Sequence, residues 1–238
     1  GRAGGDGSHR LRPLADLAVM QSIEQIRVRG GGPLEGSIPV GGAKNSVLKL
    51  MAATLLAEGT YHLHNVPRIT DVDLMSDLLC ATGCSVARDG TTLRIDVPAE
   101  IEPVAPYEIV EQFRASIVVM GPMLARCGEA RVAMPGGDDF GPRPIDMHVR
   151  GLQELGAEFD TAHGYIHARS QNLQGARVLL EFPSVGATEN LVMAAVRAKG
   201  TTVIDNAARE PEIADLCELL NKMGAQIIGA GSSTITID

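Results

Sequence analysis

Two carboxylates and an arginine lie together in a loop that is rich in glycine and proline. The segment 131–148 begins as an alternating strand, passes through Pro135-Gly136-Gly137, and carries Asp138 and Arg143 before a predicted helix over 145–155. Glycine hinges allow a loop to move as a unit, so this one could bring a proton donor and a cation to a bound substrate. A strand-to-helix connection with solvated carboxylates is an equally good interpretation of the loop in isolation.

Polar clusters also stand where three further helices are predicted to begin. They are Gly42–Asn45, Gln112–Ser116 and Ser184–Asn190. Helix N-termini have unpaired amides and a partial positive charge, so they attract anions. If these ends share one rim, Lys44, Arg114 and Arg143 form a phosphate or carboxylate site. The alternative is that Asn45 and Ser116 are helix caps and that the cations are solvated.

An internal repeat places these clusters at matching positions. Glycines recur about 70 residues apart in two series, Gly59, Gly128, Gly200 and Gly83, Gly156, Gly224. Each copy has the order β-α-β-α-β-β, and the copies cover about 34–96, 107–168 and 173–238. No copy can bury its apolar helix faces alone, so three should pack around shared helices as one α/β domain.

The periodicity gives bounds for these elements. First helices are predicted over 46–57, 115–125 and 191–198, and second helices over 71–82, 145–155 and 211–223. The pattern predicts the opening strand of the first copy within 34–40. Residues 1–19 have no clear period and are expected to be a disordered extension or a tag. Residues 20–43 are expected to supply strands that border a second domain. Residues 44–238 are expected to form the repeat domain itself.

Composition narrows the classes of function. The 238 residues are 45% hydrophobic and 21% charged, with a net charge of −8, which favours a globular protein and argues against a nucleic-acid surface. No apolar run reaches membrane-spanning length, so no membrane partner is expected. The four cysteines lack a second pair at ligand spacing and indicate buried thiols in the cytoplasm, with no metal and no cofactor.

Five motifs in order resemble a known family. They are Val40-Gly-Gly-Ala-Lys-Asn45, Arg114-Ala-Ser-Ile117, Pro135-Gly-Gly-x-x-x-Gly-x-Arg-Pro-x-Asp146, Ser184-Val-Gly-Ala-Thr188 and Asn206-Ala-Ala-Arg-Glu-Pro211. Together they closely resemble the UDP-N-acetylglucosamine enolpyruvyl transferases, whose superfamily also contains the shikimate-pathway enolpyruvyl transferase. The resemblance covers roughly residues 26–238. It implies an inside-out, barrel-like α/β domain of three repeats, one of two such domains in the family enzyme.

The resemblance also implies an activity and substrates. The family transfers the enolpyruvyl group of phosphoenolpyruvate to the 3′-hydroxyl of UDP-N-acetylglucosamine and releases phosphate, the first committed step of peptidoglycan synthesis. By motif position, Lys44, Arg114 and Arg143 would hold phosphoenolpyruvate, with Asn45 beside them. A bacterial cytoplasmic monomer is implied, and a chain that lacks the second domain is expected to be inactive by itself.

Further positions would contact the UDP-sugar. The resemblance implies that Arg143-Pro144-Ile145-Asp146-Met147 and Ser184-Val185-Gly186 line it, with backbone amides for the diphosphate and Asp146 for uracil or ribose donors. Asp71 matches a family aspartate near the active site. A carboxylate that stabilises the start of a helix explains Asp71 equally well.

The general acid is implied at the tip of the loop. Many family members have cysteine after Pro-Gly-Gly, the target of the epoxide antibiotic fosfomycin, whereas others have aspartate, as here at Asp138. An exposed aspartic acid has a pKa near 3.9, so the closed loop must raise it for the carboxyl to deliver a proton. Asp139 is the neighbouring carboxyl group without such a role.

Three alternatives remain at this stage. One is the shikimate-pathway enolpyruvyl transferase, which the Pro-Gly-Gly loop and the Arg-Pro-x-Asp motif disfavour. A second is a non-catalytic fragment that binds sugar nucleotides. The third, the RNA-terminal-phosphate cyclases, have a related repeat, but the acidic charge argues against RNA.

Overall fold

Residues 27–112, 114–134 and 145–238 are described by the structure, a computed structural model, with only the backbone described at Arg114. Contacts divide the chain into residues 1–39 and 40–238. In the first unit, the described residues 27–39 form no helix or strand, and the side chains of Leu34 and Ile38 are exposed. None of the described helices is long and apolar enough to cross a membrane.

The second unit contains the repeat in three copies. The first comprises α1 (Lys44–Ala53), a 3-10 turn (Thr54–Leu56), β1 (Gly59–Leu63), α2 (Thr70–Ala81), β2 (Ser85–Asp89) and β3 (Thr92–Val97). The second comprises β4 (Val104–Ala105), α3 (Tyr107–Val110), a 3-10 helix (Arg114–Val119), α4 (Met120–Cys127), β5 (Glu129–Ala133), α5 (Asp146–Glu154), β6 (Glu158–Ala162) and β7 (Tyr165–Arg169). The third comprises β8 (Arg177–Leu179), α6 (Val185–Ala195), β9 (Thr202–Asp205), α7 (Pro211–Lys222), β10 (Ile227–Ile228) and β11 (Thr234–Ile237).

Each copy builds its own small sheet. The orders are β1-β3-β2, β4-β5-β7-β6 and β8-β9-β11-β10. In the second and third sheets the opening strand pairs in parallel with the strand after the first helix, and the remaining pairs in all three sheets are antiparallel. The glycine after each second helix has a left-handed φ, 98° at Gly83, 90° at Gly156 and 108° at Gly224, which only glycine adopts without strain.

The first helices form the interior of this unit. Residues 187–195 of α6 are all buried, and α6 packs against α4, α5 and α7, while α1 packs against α7 and α2. Leu48 and Met51 of α1 and Met120 and Met123 of α4 are almost completely buried. Helices therefore lie inside and the sheets cover them, which confirms the predicted inside-out α/β domain of three repeats.

Two sequence-based bounds are wrong. The opening strand of the first copy is not formed within 34–40, where the side chains are exposed. A strand needs a partner for its backbone, and the described residues of the first sheet are those of β1, β3 and β2. In addition, α6 begins at Val185 rather than at Leu191, so Glu189 and Asn190 lie inside a helix and are buried. Their polar groups meet side chains from the other copies, which local sequence cannot reveal.

Candidate active site

The first and second helices of the copies begin at the same end of the unit. Lys44 Nζ lies 2.7 Å from Asp71 Oδ1, which joins the first turns of α1 and α2. Asn45 Nδ2 donates to Glu212 Oε1 at 3.3 Å, which joins the first turns of α1 and α7. The start of α5 meets the start of α6, because a Cβ placed on Gly186 would lie 3.2 Å from the imidazole of His148.

The opposite ends of the inner helices also meet. Arg126, in the last turn of α4, donates to the carbonyl of Leu55 at 2.9 Å. Arg197, just after α6, donates to the carbonyl of Leu56 at 2.8 Å. Both carbonyls belong to the 3-10 turn that extends α1. The inner helices α1, α4 and α6 are therefore parallel, and the two arginines satisfy carbonyl groups at the C-terminal end of α1.

We call the end where α1, α2, α5, α6 and α7 begin the helix-start rim. The 3-10 helix that begins at Arg114 leads directly into α4 and packs against both α1 and α6, so its backbone starts on the same side. Each helix N-terminus contributes unpaired amides and partial positive charge, and several together favour a ligand with more than one negative charge. The rim is the candidate active site.

Lys44 and Asp71, two of the predicted site residues, lie together at this rim. Their side chains are 53% and 27% exposed. An ion pair this exposed contributes little net stability, because water screens it. A multiply charged anion can therefore compete with Asp71 for the Lys44 ammonium.

Hydrogen bonds to α7 hold the next two residues of α1. Asn45 bonds to Glu212, as described above, and Ser46 Oγ donates to Asp215 Oδ2 at 2.6 Å. The Asn45 side chain is exposed at the rim, whereas Ser46 is buried. These hydrogen bonds therefore fix the directions in which the side chains of Lys44 and Asn45 point from α1.

The start of α6 is capped by its own serine. Ser184 Oγ accepts from the backbone amide of Ala187 at 3.4 Å, a normal N-cap arrangement at the long limit of distance. Val185 and Gly186 follow in the first turn, half-buried at the rim. Glycine suits position 186 because a larger side chain would press against His148.

Asp146 and Met147, predicted to line the UDP-sugar, form the first turn of α5. Asp146 Oδ2 lies 3.8 Å from Arg150, which also pairs with Glu181. Asp146 Oδ1 is buried without a hydrogen-bond partner among the described residues, so it can accept one. Ile145 is half-buried, while Met147 is only 6% exposed and could serve a ligand mainly through its backbone.

Several predicted site residues lie outside the described part of the chain. They are Asp138, Arg143, Pro144 and the side chain of Arg114. Of the three cations proposed to converge at the site, Lys44 is the one whose side chain lies among the described residues. The position of the backbone at Arg114 agrees with it.

A buried polar network behind the rim was missed by sequence reasoning. Lys49 Nζ lies 3.3 Å from Glu189 Oε2, and the Glu189 side chain is completely buried. Burial raises the pKa of Glu189 to about 7; Lys49 opposes this shift, while Glu212 and Glu210 add to it. The available signal in the sequence was a glutamate within the apolar run of α6. A glutamate is almost never fully buried unless it is paired, so its position there indicates a partner.

Asn190 joins three elements within the same network. Its side-chain oxygen accepts from the amide of Gly121 at 2.6 Å, and its nitrogen donates to the carbonyl of Ile117 at 3.0 Å. The nitrogen is also 2.9 Å from Nδ1 of His148. One buried amide thus links α6 to the start of α4 and to α5, which fixes three rim elements relative to one another.

A cavity of about 870 Å³ lies elsewhere, beside Cys127 and Gly128 at the end of α4. Its lining mixes Glu129 and Glu158 with Arg169, and it lies where helices end rather than begin. It therefore lacks the helix N-termini that attract anions. No group of three potential metal ligands occurs among the described residues.

Comparison with known proteins identifies related chains. Residues 28–238 match the family model of EPSP synthase (3-phosphoshikimate 1-carboxyvinyltransferase). UDP-N-acetylglucosamine 1-carboxyvinyltransferase of Mycobacterium bovis is 57% identical over 214 residues, which cover 90% of this chain and 51% of that protein. The enzyme of the same name from Corynebacterium efficiens is 57% identical over 215 residues, again 90% of this chain and 51% of that protein.

Solved structures agree on the fold. The enolpyruvyl transferase NikO from Streptomyces tendae superposes with a TM-score of 0.76 at 22% identity, over 87% of this chain and 49% of that one. EPSP synthase from Acinetobacter baumannii gives a TM-score of 0.67 at 19% identity, over 85% of this chain and 46% of that one. The chain spans about half the length of the curated relatives it matches.

Proposed function

The chain belongs to the EPSP synthase family of enolpyruvyl transferases, and we propose that it supplies one half of a UDP-N-acetylglucosamine 1-carboxyvinyltransferase. The reaction moves the enolpyruvyl group of phosphoenolpyruvate to the 3′-hydroxyl of UDP-N-acetylglucosamine and releases phosphate. Such an enzyme would work as a monomer in the bacterial cytoplasm and would begin peptidoglycan synthesis, on which cell shape and division depend. The identity of 57% to relatives of that name favours this acceptor over shikimate 3-phosphate.

The observation that carries the proposal is the common start of the helices at the rim. Lys44 lies there on α1, Ser184 to Gly186 lie there on α6, and the backbone at Arg114 starts on the same side. Both substrates are multiply charged anions, and a chain with a net charge of −8 must hold them with a few positive groups at defined positions. Parallel helices supply positive ends without adding formal charge.

The cations would have two tasks. In the ground state, Lys44, Arg114 and Arg143 would neutralise the phosphate and carboxylate of phosphoenolpyruvate. During reaction, the methylene carbon would take a proton while the sugar hydroxyl loses its own proton and its oxygen bonds to the neighbouring carbon. The methyl group formed in this way would then lose a proton as the bond to phosphate breaks, which restores the double bond and releases phosphate. Positive groups fixed in advance stabilise the charge that develops without reorganising.

Asp138 would donate the proton to the methylene carbon. Its carboxyl must be protonated at neutral pH, so its pKa has to rise well above the usual value. A closed loop that places it beside a multiply charged anion, away from water, acts in that direction, whereas Arg143 opposes it. Asp138 would thus be competent as an acid only in the closed complex.

Turnover of substituted proteins tests this assignment. The assay measures phosphate release from phosphoenolpyruvate with UDP-N-acetylglucosamine, using the 238-residue chain alone and joined to the second half that its relatives contain. Activity is expected only in the joined protein. There, Asp138→Asn should lower kcat at least 1000-fold, as for loss of a general acid, whereas Asp138→Cys should retain activity and become sensitive to fosfomycin.

The neighbouring carboxyl group is the matched control. Asp139→Asn should leave kcat within about threefold of the parent protein, which excludes a general effect of charge in the loop. Full activity of Asp138→Asn would refute the assignment of Asp138. Turnover with shikimate 3-phosphate in place of UDP-N-acetylglucosamine would instead favour the shikimate-pathway reaction, and binding of UDP-N-acetylglucosamine without turnover in the joined protein would favour a non-catalytic module.

A further inference from the structure

Lys49 and Glu189 form the most buried ion pair in the described part of the chain. Their side chains are 10% and 0% exposed, and Nζ lies 3.3 Å from Oε2. Lys49 belongs to α1 in the first copy and Glu189 to α6 in the third. Removing two charges from water costs as much free energy as their attraction returns, so stability alone is a weak explanation for such a pair.

The Lys49 ammonium makes a second contact, and that contact points to the rim. Nζ donates to the backbone carbonyl of Asn45 at 3.2 Å. This carbonyl lies in the first turn of α1, next to Lys44. Lys49 therefore connects the part of α1 that carries the predicted substrate contacts with a fixed point inside α6.

Glu189 is well placed to be that fixed point. It lies in the second turn of α6, three residues after Gly186, which corresponds to a rise of about 5 Å along the helix. The adjacent Asn190 is tied to α4 and α5, so this turn cannot shift freely. Among the described residues, neither carboxylate oxygen of Glu189 has a hydrogen-bond partner, and Lys49 supplies the counter-ion at 3.3 Å.

We propose that Lys49 is a positioning residue which, held by Glu189, sets the spacing between the first turn of α1 and the start of α6. The inference rests on the proposed function in one respect, that a substrate must contact Lys44 and Asn45 on one side and Ser184 to Gly186 on the other. A ligand that spans two helix starts binds well only if their spacing is set before it arrives, since ordering them on binding would cost affinity. Lys49 itself is behind the rim and does not touch the substrate.

The competing explanation is that the pair serves folding only. An apolar double variant separates the two, because well-packed apolar residues can replace a buried ion pair without loss of stability. We therefore compare Lys49→Met, Glu189→Leu and the double variant in the 238-residue chain. The measurements are Tm and the hydrogen-exchange rate of the Val47 amide, which bonds to the carbonyl of Ala43 at 3.1 Å in the first turn of α1.

Each single variant should lower Tm. Glu189→Leu leaves the buried Lys49 ammonium without its partner, and Lys49→Met leaves the buried Glu189 carboxyl without its counter-ion. The double variant should return Tm to within about 3 °C of the parent protein. Its Val47 amide should nevertheless exchange at least fivefold faster than the same amide in the parent protein. Exchange at Met75, buried in α2, should be unchanged in the double variant. Recovery of both Tm and Val47 protection would overturn the proposal, since a folding role accounts for that result.

A second variant and a surface pair keep the test decisive. If the double variant does not fold, Lys49→Gln is used, and the ratio of Val47 exchange to Met75 exchange is measured; an unchanged ratio overturns the proposal. The matched control replaces the exposed pair Lys222 and Glu218, 2.6 Å apart on α7, by methionine and leucine. This control should change Tm by less than about 2 °C, and it should leave the exchange rate of the Val47 amide unchanged.

Kinetics of the joined protein complete the test. The double variant of Lys49 and Glu189 should raise KM for phosphoenolpyruvate at least tenfold while kcat changes less than threefold, because Lys44 is misplaced before binding but not removed. An unchanged KM would overturn the proposal. If the parent protein shows no turnover, the proposed function fails, and the exchange measurement still decides whether Lys49 positions α1.

Discussion

Glu189 shows how one side chain can carry information about the surrounding structure. Burial raises its pKa from an ordinary value of 4.5 to about 7, because a charge in the interior lacks water; Lys49 reduces the shift, and the carboxylates of Glu212 and Glu210 add to it. In the folded chain the proton is held up to neutral pH, whereas in the unfolded chain it leaves near pH 4.5. The free energy of unfolding must therefore fall as pH rises between these values.

Substitution by an uncharged isostere tests this pH dependence. Glu189→Gln should remove a decrease of at most about 3 kcal/mol in the free energy of unfolding between pH 4.5 and 7.5. Urea unfolding of both proteins across this range measures it, with Glu218→Gln on the surface as a control that should keep the parent slope. If Glu189→Gln keeps the slope of the parent protein, the Glu189 carboxyl of the parent does not titrate in the pH range that its burial requires.

At the level of residues, sequence alone can place a side chain whose position depends on a local helix start. Lys44 and Asp71 were both expected at the site, and the structure brings them to 2.7 Å. Lys49 was not expected there, and Glu189 and Asn190 were expected as part of a polar cluster before the helix rather than as buried residues within α6, because their partners lie on other copies of the repeat. The Glu189–Lys49 contact joins residues 140 positions apart, which no local pattern encodes.

At the level of elements, close helix packing explains glycines inside helices. A Cβ on Gly121 of α4 would lie 2.5 Å from Asn190 Oδ1 and nearer still to the Asn190 carbonyl oxygen. A Cβ on Gly151 of α5 would lie 2.7 Å from the methyl groups of Leu191. The first obstacle is backbone and a bonded amide, whereas the second is the end of a flexible side chain.

This difference predicts an order of stability. Alanine normally stabilises a helix by up to about 1 kcal/mol relative to glycine. Here Gly121→Ala should destabilise the chain by about 3 kcal/mol, and Gly151→Ala by about 1 kcal/mol, because Leu191 can move aside. Chemical denaturation of the two variants gives the comparison; equal effects, or a gain in stability for Gly121→Ala, would contradict the packing of α4 against α6.

The elements themselves were largely predictable. The glycine spacing gave three copies, and most helix and strand bounds agree within about two residues, as for α2 and β9. The two differences have separate physical causes. The expected strand within 34–40 has no described partner, and the start of α6 was placed too late because buried polar residues resemble a loop in sequence.

At the level of the whole molecule, the repeat converts three weak features into one site. A single helix start with a lysine is commonplace and binds anions weakly. Parallel packing of α1, α4 and α6, held by Arg126 and Arg197 at one end and by Asn190 near the other, brings several such starts together. The chain matches about half the length of its relatives, so the proposed reaction is tested in the joined protein.

On substrate binding, Lys44 is proposed to exchange Asp71 for a substrate phosphate at the rim. An experimental structure of the joined protein with phosphoenolpyruvate bound tests it most directly. We predict that Lys44 Nζ leaves the carboxylate that now lies at 2.7 Å and approaches a phosphate or carboxylate oxygen within about 3 Å, with the Arg114 guanidinium on the same ligand. Phosphoenolpyruvate bound elsewhere, with Lys44 still paired to Asp71 and Arg114 directed away from it, would contradict the account.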